Sequence, residues 1–141
     1  MKAIRITSLM LLLITSINAL IAGYKLMTDP SGATMNLTQD LLHHSPFSTF
    51  LIPGITLFFI IGIFSLMAAL TILFDYKGMP HYVRIQGGLI IGWIIMQIIF
   101  LHLINILHLF ILTIGIILFI FGAKMNRSKE IILDPSEQFD D

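Results

Sequence analysis

Histidine is the residue type in this chain best suited to binding or acid–base chemistry, because cysteine is absent and charged residues are few. Four of the five histidines lie in two short stretches, as His43 and His44, and as His102 and His108. Neutral imidazoles bind zinc, copper or haem iron, and protonation at about pH 6 could instead reshape a surface. The spacing matches no established metal motif. A structural role at the polar ends of helices is therefore the alternative.

Signatures of other common active sites are missing. The chain has no cysteine, which excludes disulfides, thiolate metal ligands and thiol catalysis. It contains neither the HExxH pattern of zinc proteases nor the GxSxG pattern of serine hydrolases. No Asp, Glu, Lys or Arg lies deep in the long apolar segments, so these segments lack the usual general acids and the charged groups of coupled transporters. We expect no enzymatic activity and no cofactor.

Three uncharged polar residues interrupt the apolar segments. Asn18, Gln97 and Thr113 should reach similar depths, since each residue of a helix advances it by about 1.5 Å. We predict that they form an interhelical hydrogen-bond cluster, in which each bond contributes about 0.6–2 kcal/mol. Two alternatives are a ligand cavity built on these residues and a solute path lined by Asn18 and Gln97.

The composition places these residues in a membrane protein. The chain is 57% hydrophobic and 11% charged, whereas soluble domains carry about 25% charged residues. Four apolar segments are each close to the ~20 residues that a helix needs to cross the hydrocarbon core. They cover residues 6–24, 50–74, 83–103 and 106–123. Lipid offers the backbone no hydrogen-bond partner, so we predict an all-α, four-helix transmembrane bundle over residues 1–124 and a tail over 125–141.

Basic residues predict the orientation of the bundle. With four crossings, all of the eight Lys and Arg residues except Lys25 fall on one side of the membrane. The positive-inside rule then places both termini and the tail in the cytoplasm. On this topology the four histidines named above share the outer face. The formal net charge is zero, so nothing indicates nucleic-acid binding.

The first outer connection is predicted to contain a short helix at the membrane interface. In the segment NLTQDLLHHSP, Leu41 and Leu42 give such a helix an apolar edge, and Pro46 ends it. The second apolar segment follows directly. Pro53 fits its first turn, where a missing N–H is harmless, and Gly54 permits close helix packing.

A GxxxG step in the third segment predicts a helix-packing face. Gly88 and Gly92 lie one turn apart, and small residues let helix backbones approach closely within lipid. We expect this face to pack inside the bundle, with a dimer interface as the alternative. Trp93 lies near mid-span, where we predict that it packs against other helices and does not anchor at the interface.

The segment SPFSTFLIPG, followed by GGLIIGWIIMQ, resembles a pattern in small, uncharacterised bacterial four-span membrane proteins. In those proteins a Ser-Pro-Phe…Pro-Gly segment opens the second span, and a Gly-Trp…Gln segment lies in the third. The resemblance covers roughly residues 45–101. It implies a bacterial inner-membrane location, but it supplies no activity and no catalytic residue.

A chain made almost wholly of packing surfaces favours a non-enzymatic accessory or scaffold subunit. Such a subunit would contact the lipid bilayer and either a second copy of itself or a larger membrane complex. One alternative is an outer-face protein that binds a metal, haem or small ligand through the four histidines. Another is a small-solute channel or carrier.

Overall fold

Four long helices make up most of the chain in the computed structural model, which describes residues 1–102 and 104–133. All four are long and apolar enough to cross a membrane, and the described residues contain no β-strand. The all-α prediction is therefore confirmed. The helices are α1 (Lys2–Thr28), α2 (Leu51–Leu73), α3 (Met79–Leu101) and α4 (Ile106–Leu133).

The helices are longer than three of the four apolar segments. α1 extends beyond residues 6–24 at both ends, and α3 begins at Met79, four residues before the predicted start. α4 continues to Leu133, so the first part of the segment predicted as a tail is helical. Residues 134–141 of that tail and Leu103 lie outside the described residues.

The first two helices form an antiparallel pair whose backbones touch. A Cβ at Gly23 would lie 2.7 Å from the backbone nitrogen of Phe58, and one at Gly54 would lie 2.7 Å from the Cβ of Leu26. Gly54 is buried in this contact, and Pro53 lies half-buried in the first turn of α2. Glycine is therefore required where α1 and α2 approach most closely.

The last two helices form a second antiparallel pair. A Cβ at Gly87 of α3 would lie 2.4 Å from the backbone nitrogen of Phe119 and 2.7 Å from the carbonyl oxygen of Gly115 on α4. Gly122 is equally tight, with a Cβ only 2.5 Å from the backbone nitrogen of Arg84. Contacts between the two pairs are fewer and run mainly from α2 to α3.

The middle of α2 is not a regular α-helix. Residues Leu57–Ile63 form a π-helical segment between α-helical turns at Leu51–Thr56 and Phe64–Leu73. The wider π turn disturbs the regular pairing of backbone groups and exposes carbonyl oxygens to other partners. Such segments often occur where a helix carries functional groups.

The connection between α1 and α2 is ordered by its own side chains. Asp29 accepts hydrogen bonds from the Ser31 hydroxyl at 2.5 Å and from the Thr34 backbone N–H at 2.9 Å. The hydrogen bond from Ser31, and next the one from Thr34, hold the pKa of Asp29 below its ordinary value. These bonds stabilise the turn that leaves α1.

The helix predicted in this connection is only one short 3-10 turn, Gln39–Leu42. Leu42 packs with Leu26 and Phe50 in a small apolar cluster at this end of the bundle. This cluster fixes the turn against the ends of α1 and α2. The turn is too short to present the long apolar face of an interfacial helix.

Candidate functional site

The polar contact between the two helix pairs centres on Gln86, which is completely buried on α3. Its amide Nε2 donates to the hydroxyl of Ser65 at 2.6 Å and to the carbonyl oxygen of Ile61 at 3.2 Å. Both acceptors belong to α2. These bonds join α2 to α3, and therefore the first helix pair to the second.

The π-helical segment of α2 supplies the carbonyl groups of this contact. The oxygen of Ile61 accepts from Gln86, and the next carbonyl, that of Gly62, accepts from the Ser16 hydroxyl of α1 at 2.9 Å. The carbonyl of Ile61 also accepts from the backbone N–H of Phe64, so Gln86 adds a second donor to it. Ser16 and Gln86 donate from the two sides of α2.

Three buried polar atoms of the bundle lack a hydrogen-bond partner among the described residues. They are Oε1 of Gln86 and the hydroxyl oxygens of Ser8 and Thr15 on α1. A buried polar atom without a partner costs about 1–3 kcal/mol. These three groups are uncharged, as are the other buried polar side chains among the described residues, so they could bind or orient a polar group by hydrogen bonding.

The predicted cluster of Asn18, Gln97 and Thr113 does not hold the bundle together. The amide of Asn18 donates to Ile14 of its own helix at 2.9 Å, and the Thr113 hydroxyl donates to Leu109 of its own helix at 2.8 Å. Asn18 and Thr113 are exposed on the surface of the bundle, and Gln97 is half-buried. Asn18 therefore does not line a path through the interior.

The structure brings two of the four predicted histidines together. The rings of His44 and His102 are 4.6 Å apart between centroids and are tilted by 54°. His43 points into solvent beside them, while Nδ1 of His108 accepts a hydrogen bond from the Asn105 N–H at 3.3 Å. Among the described side chains, no group of three His, Asp or Glu residues is placed to hold a metal ion.

The predicted glycine pair of α3 lies outside the helix contact. Among the described residues outside the helix's own backbone, a Cβ at Gly88 would meet only ring atoms of Phe119 at 3.9 Å, and one at Gly92 would meet nothing within 4 Å. The close approach is made instead by Gly87, one residue earlier. Trp93 faces the core and is buried.

An ion pair joins the start of α1 to the turn that follows α2. Arg5 of α1 donates to the carboxylate of Asp75 at 2.7 Å and to the carbonyl oxygen of Ile72 at 3.3 Å. Asp75 follows α2 with φ of 51°, a left-handed conformation that Asp and Asn adopt more readily than most residues. This contact places the start of α1 beside the turn from α2 to α3.

The sequence pattern does not single out Gln86. The third apolar segment is predicted to begin at residue 83, so Gln86 lies near its polar end, where a polar side chain is expected. The spacing of Val83, Gln86, Gly87, Ile90 and Ile94 could have identified it. These residues recur at three- and four-residue intervals, and all of them are buried. Comparisons with family models, with curated proteins and with solved structures found no match for the chain.

Proposed function

We propose that this chain is a non-enzymatic accessory or scaffold subunit of a larger membrane assembly in the bacterial inner membrane. It would act by presenting helix surfaces to a partner within the bilayer. The proposal also places both termini in the cytoplasm, supported by the excess of Lys and Arg at one end of the helices. The inner-membrane location follows from the resemblance to small bacterial four-span proteins.

One observation carries this proposal: Asn18 faces outward in the apolar part of α1. Its one hydrogen bond among the described residues is the local bond to Ile14. Lipid cannot satisfy the rest of the amide, and polar residues within a membrane normally face protein. A helix of another subunit would give Asn18 the partner that this chain does not supply.

The surface around Asn18 has the spacing of a helix-packing seam. Exposed side chains recur along α1 at alternating intervals of four and three residues, and they are Met10, Ile14, Ile17, Ile21 and Tyr24. This is the spacing at which two helices interdigitate at a small crossing angle. A single amide at such a seam specifies register and oligomer state at a cost in stability.

Site-specific photocrosslinking in native membranes tests this proposal. Benzoylphenylalanine placed at Asn18 should give a discrete crosslinked product, which mass spectrometry of the purified adduct identifies. The same probe at Phe59, an apolar position of α2 that is also exposed, is the matched control. The proposal fails if position 18 yields only lipid adducts, or if both positions give the same products.

Binding of a metal or small ligand at the histidines is the second candidate function. The contact between His44 and His102 supports it, because two imidazoles are already close together. Elemental analysis and an absorption spectrum of detergent-purified protein test this candidate. Bound metal or a haem band that disappears in His44→Ala would support it, whereas a metal-free, colourless protein would remove its basis.

A further inference from the structure

We propose that the groove on the exposed surface of α3 and α4 binds one anionic phospholipid, with its phosphate at Arg84 and an acyl chain along Gly88 and Gly92. The groove has a volume of about 460 Å³. Its lining residues are His81, Arg84, Ile85, Gly88, Leu89 and Phe119.

The charge of this helix pair suits an anion. From residue 76 to residue 128 the sequence contains no Asp or Glu, whereas Arg84, Lys124 and Arg127 are all exposed. Gly122 of α4 touches the backbone of Arg84, so the two basic residues that follow Gly122 lie at the same end of the bundle as Arg84. Basic residues clustered at the end of transmembrane helices attract anionic headgroups.

The guanidinium of Arg84 is available to a ligand. It lies over the ring of Phe119, 5.2 Å from the centroid, and no ion pair to it is found among the described residues. The ring holds the side chain at the mouth of the groove and leaves its N–H groups for a phosphate. An Arg guanidinium can donate two parallel hydrogen bonds to phosphate oxygens.

The remainder of the groove suits a hydrocarbon chain. Gly88 and Gly92 leave a strip along this side of α3 without side chains, and apart from the backbone of its own helix no described residue lies within 4 Å of a Cβ at Gly92. From Arg84 to Gly92 the helix advances about 12 Å. Leu89 and Ile85 flank this concave strip with exposed apolar side chains.

A second copy of the chain fits this surface less well. A symmetric contact through Gly88 would bring Arg84 of both copies together, because a two-fold interface pairs a surface with itself. Two positive charges in a medium of low dielectric repel strongly. An anionic lipid instead brings the opposite charge to the same position.

Lipid retained by the purified full-length chain tests the proposal. After delipidation, equal amounts of phosphatidylglycerol or phosphatidylcholine are added, and native mass spectrometry measures the bound fraction. We expect wild type to retain phosphatidylglycerol preferentially. Arg84→Gln should weaken binding about fivefold, the equivalent of the ~1 kcal/mol that one basic residue contributes at an anionic surface.

Matched variants separate the two parts of the site. Gly88→Leu fills the groove, and its Cβ would meet only ring atoms of Phe119 at 3.9 Å, so it should weaken lipid binding although Arg84 remains. Arg84→Lys keeps the charge but loses the paired hydrogen bonds and the stacking on Phe119, so its binding should fall between wild type and Arg84→Gln. Lys25→Gln, at the opposite end of the bundle, should bind as wild type does.

Four results would overturn the proposal. The first two are equal retention of the two lipids and unchanged binding by both Arg84→Gln and Gly88→Leu. The third is full competition by inorganic phosphate, which would indicate a site for an ion only. The fourth is a disulfide dimer of Gly92→Cys, which would indicate that a second copy covers the groove. The last test is unambiguous because the chain has no other cysteine.

Discussion

Gln86 and Ser65 form the shortest side-chain hydrogen bond between α2 and α3, with Nε2 of the glutamine 2.6 Å from the serine hydroxyl. Both residues are completely buried. The bond lies where contacts between the helix pairs are sparse. It therefore helps to fix how α2 packs against α3.

Removing this bond should weaken the bundle by a modest amount. Gln86→Leu removes both bonds donated by Nε2, each worth about 0.6–2 kcal/mol in membranes, and also the unpartnered Oε1, whose loss offsets part of the cost. We expect a net reduction of the free energy of unfolding of about 1 kcal/mol. Ser65→Ala should act in the same direction. The measurement is unfolding of the purified chain by sodium dodecyl sulfate in mixed micelles, with helicity as the signal.

The double variant provides the control for this prediction. If the two side chains act through one bond, Gln86→Leu with Ser65→Ala should lose less than the sum of the single losses. Strictly additive losses would show that the residues stabilise the bundle independently.

Two adjacent glycines of α3 should differ in how strongly the same substitution destabilises the bundle. Gly87→Ala forces a Cβ against backbone atoms of α4, and overpacking of this kind costs about 1–3 kcal/mol. Gly88→Ala adds a methyl group at ordinary contact distance and should be nearly neutral. Thermal unfolding in detergent compares the two variants. Equal destabilisation of both would contradict the packing described for Gly87.

The turn after α1 should show a measurable shift in acid titration. Replacing Ser31 by Ala removes the strongest hydrogen bond to Asp29, so the pKa of Asp29 should rise toward its ordinary value. Because the folded-state pKa is lowered, the stabilisation is complete above the unfolded pKa of about 4 and is lost as pH falls through the folded value.

Carboxyl chemical shifts of Asp29 followed by NMR during acid titration measure this change. Thr34→Ala keeps the Thr34 backbone N–H that bonds Asp29, so it is the matched control and should move the pKa less. An unchanged titration in Ser31→Ala would argue against the bond.

The contact between Arg5 and Asp75 should contribute little to stability. Asp75 is largely exposed, with 74% of its side chain accessible, and exposed ion pairs contribute about 0–1 kcal/mol. Asp75→Asn removes the charge yet tolerates the left-handed backbone, so its loss should be small and should shrink in high salt. Unfolding at low and high ionic strength measures it.

Asp75→Ala separates charge from backbone conformation. Alanine adopts positive φ less readily, so this variant should be less stable than Asp75→Asn at every salt concentration. The reverse order would show that the left-handed backbone at residue 75 does not limit stability.

The existence of the four helices could be predicted from the sequence because lipid requires long apolar helices. Their contact faces could not be. Each helix is apolar around most of its circumference, so hydrophobic periodicity does not separate the surface that meets protein from the one that meets lipid. A rotation of one residue, about 100°, distinguishes Gly87 from Gly88.

The polar contact around Gln86 is equally hard to predict from the sequence. Asn18 and Gln97 stand out as polar residues within apolar segments, yet it is Gln86 that makes the side-chain hydrogen bonds between α2 and α3. The π-helical segment had no signal in the run LFFIIGI, because its carbonyls depend on donors from Ser16 and Gln86 that are distant in the sequence. Tertiary contacts decide both features.

The division into two helix pairs has a consequence for how the chain can be assembled. Each pair has its own glycine-mediated backbone contact, and the pairs are linked in the sequence only through the short turn that contains Lys77 and Gly78. A break between these two residues would leave both hairpins whole. Separately synthesised halves should thus insert as autonomous units and reconstitute the bundle by fragment complementation.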